Sequence, residues 1–240
     1  MRRATIKEYN KLSENLSNFV ARMNYRFLNL CVKAEAASLL SVEVLVEGEL
    51  QHLEKCTMLS KKDDYNFVII PNFDEDMPSV GNAIFAVHPE FKQKMETTKV
   101  DMLDENGQTK THEVKYLLVT MPDVDDDRYD VLTNGVKAAY EECKFQMETT
   151  NKVSSVKFAE LAAGETEEEL DRLKKELEKM NKQWNDHRDK LYNDKLQEIE
   201  DAHNKWLAEL DEQEQKRQEE EAAHSESVAR SMKLGQEDVN

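Results

Sequence analysis

Apolar residues recur at steps of three and four from Tyr9 to Leu30, the pattern breaks near residue 42, and it returns only after Pro122. This interrupted helical period constrains the fold more than any other feature. Tyr9, Leu12, Leu16, Phe19, Met23, Phe27 and Leu30 share one stripe of a helix over residues 5–36, because 3.6 residues per turn bring such steps to one face. A second stripe, Leu132, Val136, Tyr140, Cys143 and Met147, continues less cleanly through Val153, Val156, Phe158 and Leu161. A third runs Leu170, Leu173, Leu177, Met180, Trp184, His187 and Leu191, slips once, and resumes at Leu196, Ile199, Trp206 and Leu210. Gly164 suits a helix stop before it, and Thr166 with Glu169 suits a capping box at its start, where the hydroxyl takes a free first-turn amide and the carboxylate reaches back. One polar helix cannot bury its stripe alone. Three can bury theirs against one another, so the pattern predicts a three-helix bundle with coiled-coil-like seams. Trp184, Trp206, Tyr129 and Tyr140 are expected as core, and His187 as a partly buried, satisfied residue.

The interruption has strand character. Residues 42–48, 53–59 and 65–70 are short and rich in β-branched or apolar residues. Residues 79–87 suit a short helix, with Ser79 as cap and Pro78 just outside. Residues 98–122 read as a hairpin, its turn at Asn106-Gly107. Asp74, Glu75 and Asp76 are expected to cap and solubilise. The fold class expected is α+β: a long three-helix bundle (1–41 and 123–225) with a small sheet-plus-helix domain (42–122) inserted after its first helix, and a polar tail at 226–240. Two short crossings, at Ser41–Val42 and at Met121–Asp123, would make a hinge of Ser41, Val42, Met121 and Pro122.

Composition narrows the function. The chain has 240 residues, only 6 Gly and 4 Pro, and a net charge of −17, so nonspecific attraction to nucleic acid is not the first reading unless a local basic face provides it. Cys31, Cys56 and Cys143 lack CxxC spacing and read as reduced thiols. Histidines occur singly, giving no support to a metal site. No apolar run approaches the ~20 residues of a membrane span, and no secretory signal is visible. The first 30 residues carry Glu8 and Glu14 among their arginines; a transit peptide would be poorer in acid, so any such peptide is expected outside this numbering. No nucleophile with a base, phosphate-binding glycine loop or metal cluster is found. The expectation is no enzyme, no cofactor and no small-molecule substrate.

The order of segments resembles the ribosome recycling factor family. "SLLSVEVLVEG" (38–48) looks like that family's exit from the first helix into its first strand. "FVIIPNFDEDMPSVGNAI" (67–84) is similar to its strand, acidic turn and short helix. "YLLVTMPDVDDDRYDVL" (116–132) looks like its return strand, proline-containing hinge and second-helix start. Residues 136–161 match in register, and "ETEEELDRLKKELEKMNKQW" (165–184) fits the last helix. The resemblance spans most of 5–210. It implies an L-shaped, two-domain molecule that binds between ribosomal subunits. Its bundle would lie on large-subunit RNA, its small domain would swing, and a translational GTPase would act as partner.

The resemblance also locates candidate RNA contacts. The family's Arg-Thr-Gly-Arg-like motif corresponds to "LCVKAEA" (30–36), where only Lys33 is basic. Lys137 and Lys144 fall where the family has arginine, Glu148 and Asn151 fall at further arginine positions, and Lys152 keeps a charge beside them. Arg22 and Arg26 are further candidates on the first helix. Lysine is a point charge where arginine is a planar fork, and glutamate repels phosphate. A chain so altered is expected in an organelle, the mitochondrion, whose ribosomes have traded RNA for protein; a bacterial member would be cytoplasmic. The alternatives are a repurposed ribosome assembly factor or ribosomal component without recycling activity, and a coiled-coil scaffold.

Overall fold

The computed structural model describes the backbone of residues 2–103 and 109–237, and the side chains of 2–100 and 111–226. The expected Asn106-Gly107 turn lies outside the described residues. Three helices form the bundle: α1 (Arg3–Asn29), α4 (Asp126–Leu161) and α5 (Glu167–Glu237). Between α1 and α4 lies an α+β domain. It has a hairpin of β1 (Glu43–Val46) and β2 (Glu49–His52), one helical turn α2 (Leu53–Cys56), strands β3 (Thr57–Lys61) and β4 (Asn66–Pro71), helix α3 (Met77–Val87), and strands β5 (Lys92–Leu103) and β6 (Thr109–Thr120). The four-stranded sheet is antiparallel in the order β3-β4-β6-β5.

Two separate cores follow from the two periodicities. Leu12, Leu16, Val20, Met23 and Phe27 of α1 meet Leu132, Val136, Cys143 and Met147 of α4 and Leu173, Met180 and Ile199 of α5. In the small domain β4 alternates, turning Phe67 and Ile69 inward under Val80 and Ile84 of α3, with Val44, Leu117 and Val119 beside them. Buried His88 lies within hydrogen-bond distance of the Ser38 carbonyl (3.0 Å) and Glu90 (3.1 Å) and stacks on Phe91, joining the end of α3 to the chain before β1.

The first helix ends at Asn29, short of the expected limit at residue 36. Beyond it Cys31 and Ala34 enter the small-domain core while Val32 enters the bundle core. Feeding two cores from neighbouring residues requires the chain to leave the helix. The entry crossing is therefore 30–34. This corrects the expected one: Val42 is fully buried in the small domain, and Ser41, beside it, has a buried hydroxyl. On return, Met121 sits in the small-domain core and Val124 in the bundle core, with Pro122 half-buried between them.

Other departures have local causes. Glu47 and Gly48 both take positive φ (51° and 85°), making the tight β1–β2 turn that cuts the expected 42–48 strand short. Residues 53–56 coil once before β3 begins, and Thr57 donates back to the Leu53 carbonyl at 2.7 Å. The edge strand β5 starts at Lys92 rather than 98. Helix α3 starts at Met77, with Pro78 inside its first turn, where no amide donor is needed; Ser79 is not its cap. Val153 and Val156 are exposed and Ser154 is buried instead, while Phe158 is buried as the stripe places it. His187 is exposed too, because the α5 seam takes two successive steps of four from Met180 to Arg188. Arg188 is 6% exposed, lies over the Tyr140 ring at 4.9 Å, and donates to Asp189, which also accepts from the Tyr140 hydroxyl. Gly164 takes φ +90° and Thr166 accepts from the Glu169 amide at 3.4 Å, as the stop and cap pattern requires.

Helix α5 has 71 residues, about 107 Å, against about 54 Å for α4. Its last buried residue among those described is Ala202, Leu210 is exposed, and it runs through the expected 225/226 boundary without a break. Ile199→Ala is expected to lower unfolding stability by about 2–5 kcal/mol in urea titration, whereas Val156→Ala changes it by less than about 0.5 kcal/mol.

Candidate functional site

Candidate polar side chains gather at the elbow between the domains and on the basic faces of the bundle. The elbow is built by the converging crossings. Arg128, in the first turn of α4, donates to the Cys31 carbonyl at 2.6 Å, tying the entry crossing to the bundle. Burial pulls its guanidinium downward, and the carboxylates of Glu90, Asp125 and Asp123 act against that. On α5, His203 Nδ1 sits 2.9 Å from the Val124 carbonyl and Nε2 3.4 Å from Asp126, its ring between those of Tyr129 and Trp206. Lys205 lies 4.3 Å from the Tyr65 ring centre and donates to its hydroxyl at 3.1 Å, a bond that raises the ammonium above its ordinary range. Between them is a cavity of about 180 Å³ lined by Tyr65, Met121, Asp123, Val124, Lys205 and Trp206. The sequence marks Met121 and Pro122 here and gives no sign of Arg128, His203, Lys205 or Tyr65, whose roles depend on which surfaces meet.

The basic candidates fall into three groups. Arg22 (4.0 Å) and Arg26 both lie against Glu142 of α4, whose single carboxylate offsets one of their two charges. Lys33 is half-buried on the entry crossing beside the Asp64 segment, whose carbonyl accepts from the Ala34 amide. Lys137 and Lys152 are exposed and Lys144 half-buried on one side of α4, without ion pairs. Glu141 and Glu148 stand four residues from them, within side-chain reach on a helix. Asn151 is half-buried, its amide oxygen buried without a partner.

The thiols are not poised for chemistry. Burial pushes Cys31 and Cys143 up to about 11 each and raises Cys56 as well. Among the described residues no group of three His, Cys, Asp or Glu could hold a metal ion, and no helix is long and apolar enough to cross a membrane.

No family model matches the chain, and no curated protein matches it by sequence. Solved structures do. A solution structure of ribosome recycling factor superposes with a TM-score of 0.64 at 17% identity, over 84% of this chain and 100% of that one. The chain has the ribosome recycling factor fold. A second match, TM-score 0.51 at 17% identity over 81% of this chain and 98% of that one, comes from models of Thermus thermophilus ribosome recycling factor and Escherichia coli elongation factor G bound to the E. coli post-termination complex. The recycling factor fold thus accounts for the bundle and the inserted lobe together, and for an elbow where the chain passes twice.

Within that fold the buried thiols predict inert cysteines. A thiol near 11 is ionised at about one part in a thousand at pH ~8, and the thiolate is the reacting form. An aromatic disulfide reagent should therefore titrate no thiol rapidly in the native protein and all three in denaturant.

Proposed function

We propose that this protein is a non-enzymatic, ribosome-binding translation factor of the recycling type. Its bundle docks on the large subunit at the intersubunit face, and the small domain turns about the 30–34 and 121–124 crossings. The observation that carries this reading is the one-piece match to recycling factor over the whole of that protein's length. It is supported by the second matched structure, in which recycling factor and elongation factor G are bound to a post-termination complex. A translational GTPase is the partner this implies. The elbow suits a hinge: each crossing is a few residues long, and the bonds across it from Arg128, His203 and Lys205 are few.

A second reading has its own support. Glu142 offsets one of the two charges of Arg22 and Arg26, and Glu148 stands among the α4 lysines. A bundle with this weakened grip on phosphate fits a factor that occupies a ribosome or its precursor without splitting it. It also fits a mitochondrial ribosome, where protein replaces RNA, and we propose that location on the same ground.

The purified protein is expected to co-sediment with large ribosomal subunits on gradients. With its cognate elongation factor and GTP it should convert post-termination ribosomes into subunits. Co-sedimentation without splitting selects the second reading; absence from every ribosomal particle removes both.

A further inference from the structure

We propose that the free edge of β5 is a self-association surface, on which two copies of this chain pair their β5 strands antiparallel about a two-fold axis at Met95 and join their sheets into one. β5 is an edge strand, with β6 as its neighbour in the sheet. It pairs with β6 at every position from Lys92 to Leu103, without a bulge. Among the described residues no backbone bond reaches its free side between 92 and 100. An edge strand points alternate amides and carbonyls outward, so a long, unbulged one is a template for a second strand. The opposite edge, β3, has only 5 residues. None of this depends on ribosome binding.

The charges on β5 select a second copy as the occupant. Two identical antiparallel strands side by side are related by a two-fold axis normal to the sheet, so each register places one residue opposite its own copy. With Met95 there, Lys94 of each copy stands opposite Glu96 of the other, Gln93 opposite Thr97, and Lys92 opposite Thr98. Opposite charges facing each other across an antiparallel pair attract, and like charges repel. Within one chain Lys94 already reaches Glu96 at 2.7 Å, and the Tyr116 hydroxyl donates to Glu96 at 2.7 Å. The second copy turns this pair into a ring of four alternating charges. Neighbouring registers fail. An axis at Gln93 sets Lys92 against Lys94, one at Lys94 sets lysine against lysine, and one at Glu96 sets carboxylate against carboxylate. An axis at Thr97 or Thr98 brings no opposite charges together within β5. Lysines on an edge ordinarily keep a second strand away; here Glu96 reverses that for a single register.

The apolar side chains point to the same axis. Gln93, Met95 and Leu117 line a groove of about 510 Å³ between β5 and α3, with Phe85 on its helical wall. α3 packs on β1, β4 and β6, and Gln93 spans the floor of the groove by donating to the Gly81 carbonyl at 3.1 Å. Met95 is 58% exposed and Phe85 59%. Pairing about Met95 brings the grooves of two copies together over the axis and covers these side chains. The interface is isologous, so it closes at two copies. Pairing residues 92–98 of each copy makes an interface of the weak class, below about 1,200 Å², so association sets in at micromolar concentration.

The test is sedimentation velocity of the full chain from about 1 to about 100 μM, where a weak interface of this class titrates. Wild type should pass from monomer to dimer over that range. Lys94→Glu alone and Glu96→Lys alone each set four like charges around the axis; each should weaken association about tenfold or more, with unchanged circular dichroism. An equimolar mixture of the two variants again faces opposite charges and should form a heterodimer. The double variant Lys94→Glu, Glu96→Lys should restore the homodimer. Met95→Cys should form an intermolecular disulfide under mild oxidation, because residues directly opposite have Cβ atoms about 5 Å apart. Thr98→Cys should not, since its two copies lie about 20 Å apart along the strands. The pairing is overturned if wild type stays monomeric at the highest concentration, if the mixture of the two variants stays monomeric, or if Thr98→Cys cross-links as readily as Met95→Cys. A dimer that survives both single charge reversals, as one held by the exposed part of α5 would, also overturns it.

Discussion

Mutual burial of three apolar stripes holds the molecule together. No one of α1, α4 or α5 could remain helical on its own stripe in water, since helix propensity over such charged sequences is marginal without tertiary packing. Once Leu16, Val136 and Ile199 are removed from water together, the geometry of everything else is limited. The second helix must run back along the first, so the chain has to leave the bundle and return at the same end. That requirement puts both crossings side by side and makes the small domain a lobe on two short connections. Arg128 and His203 then have carbonyls of both crossings within reach, at Cys31 and Val124.

The surface follows a different rule. Burial decides where apolar side chains go, but pairing decides which charges remain available. Arg22 and Arg26 look fully available in sequence and share the one Glu142 carboxylate in space. The α4 lysines lie on the surface but are interleaved with carboxylates. On α5 Arg172, Lys175 and Lys182 likewise have carboxylates four residues away, at Glu176, Asp171 and Glu178. The number of positive residues is therefore a poor guide to where an acidic chain can approach phosphate; the angular order of charges around each helix is a better one.

Much of the fold is legible in the chain because period and burial are linked. The stripe from Leu12 to Phe27, the alternation of Phe67 and Ile69, the stop at Gly164 and the Thr166 cap are local rules, and each is found where the pattern puts it. The departures share one cause. At residues 31–34, 153–158 and 187–188 the pattern offers two neighbouring positions for one buried site, and the choice depends on the partner surface. Ser154 is buried rather than Val153, and Arg188 rather than His187, because those positions point at the neighbouring helices after the seam changes its step. The elbow is half visible: the proline and the change of period mark the exit crossing, while nothing in the local sequence links Lys205 to Tyr65, 140 residues away.

Spacing along the chain was enough to set the class of structure: three amphipathic helices and one interruption of strand character. These are consequences of short-range order, which is written directly in the residues. Where the two cores divide, which basic residues are neutralised and which α5 residues close the elbow were settled only by folding in three dimensions. Those outcomes depend on atoms brought together from distant segments, and on which of several nearly equivalent side chains ends up facing them.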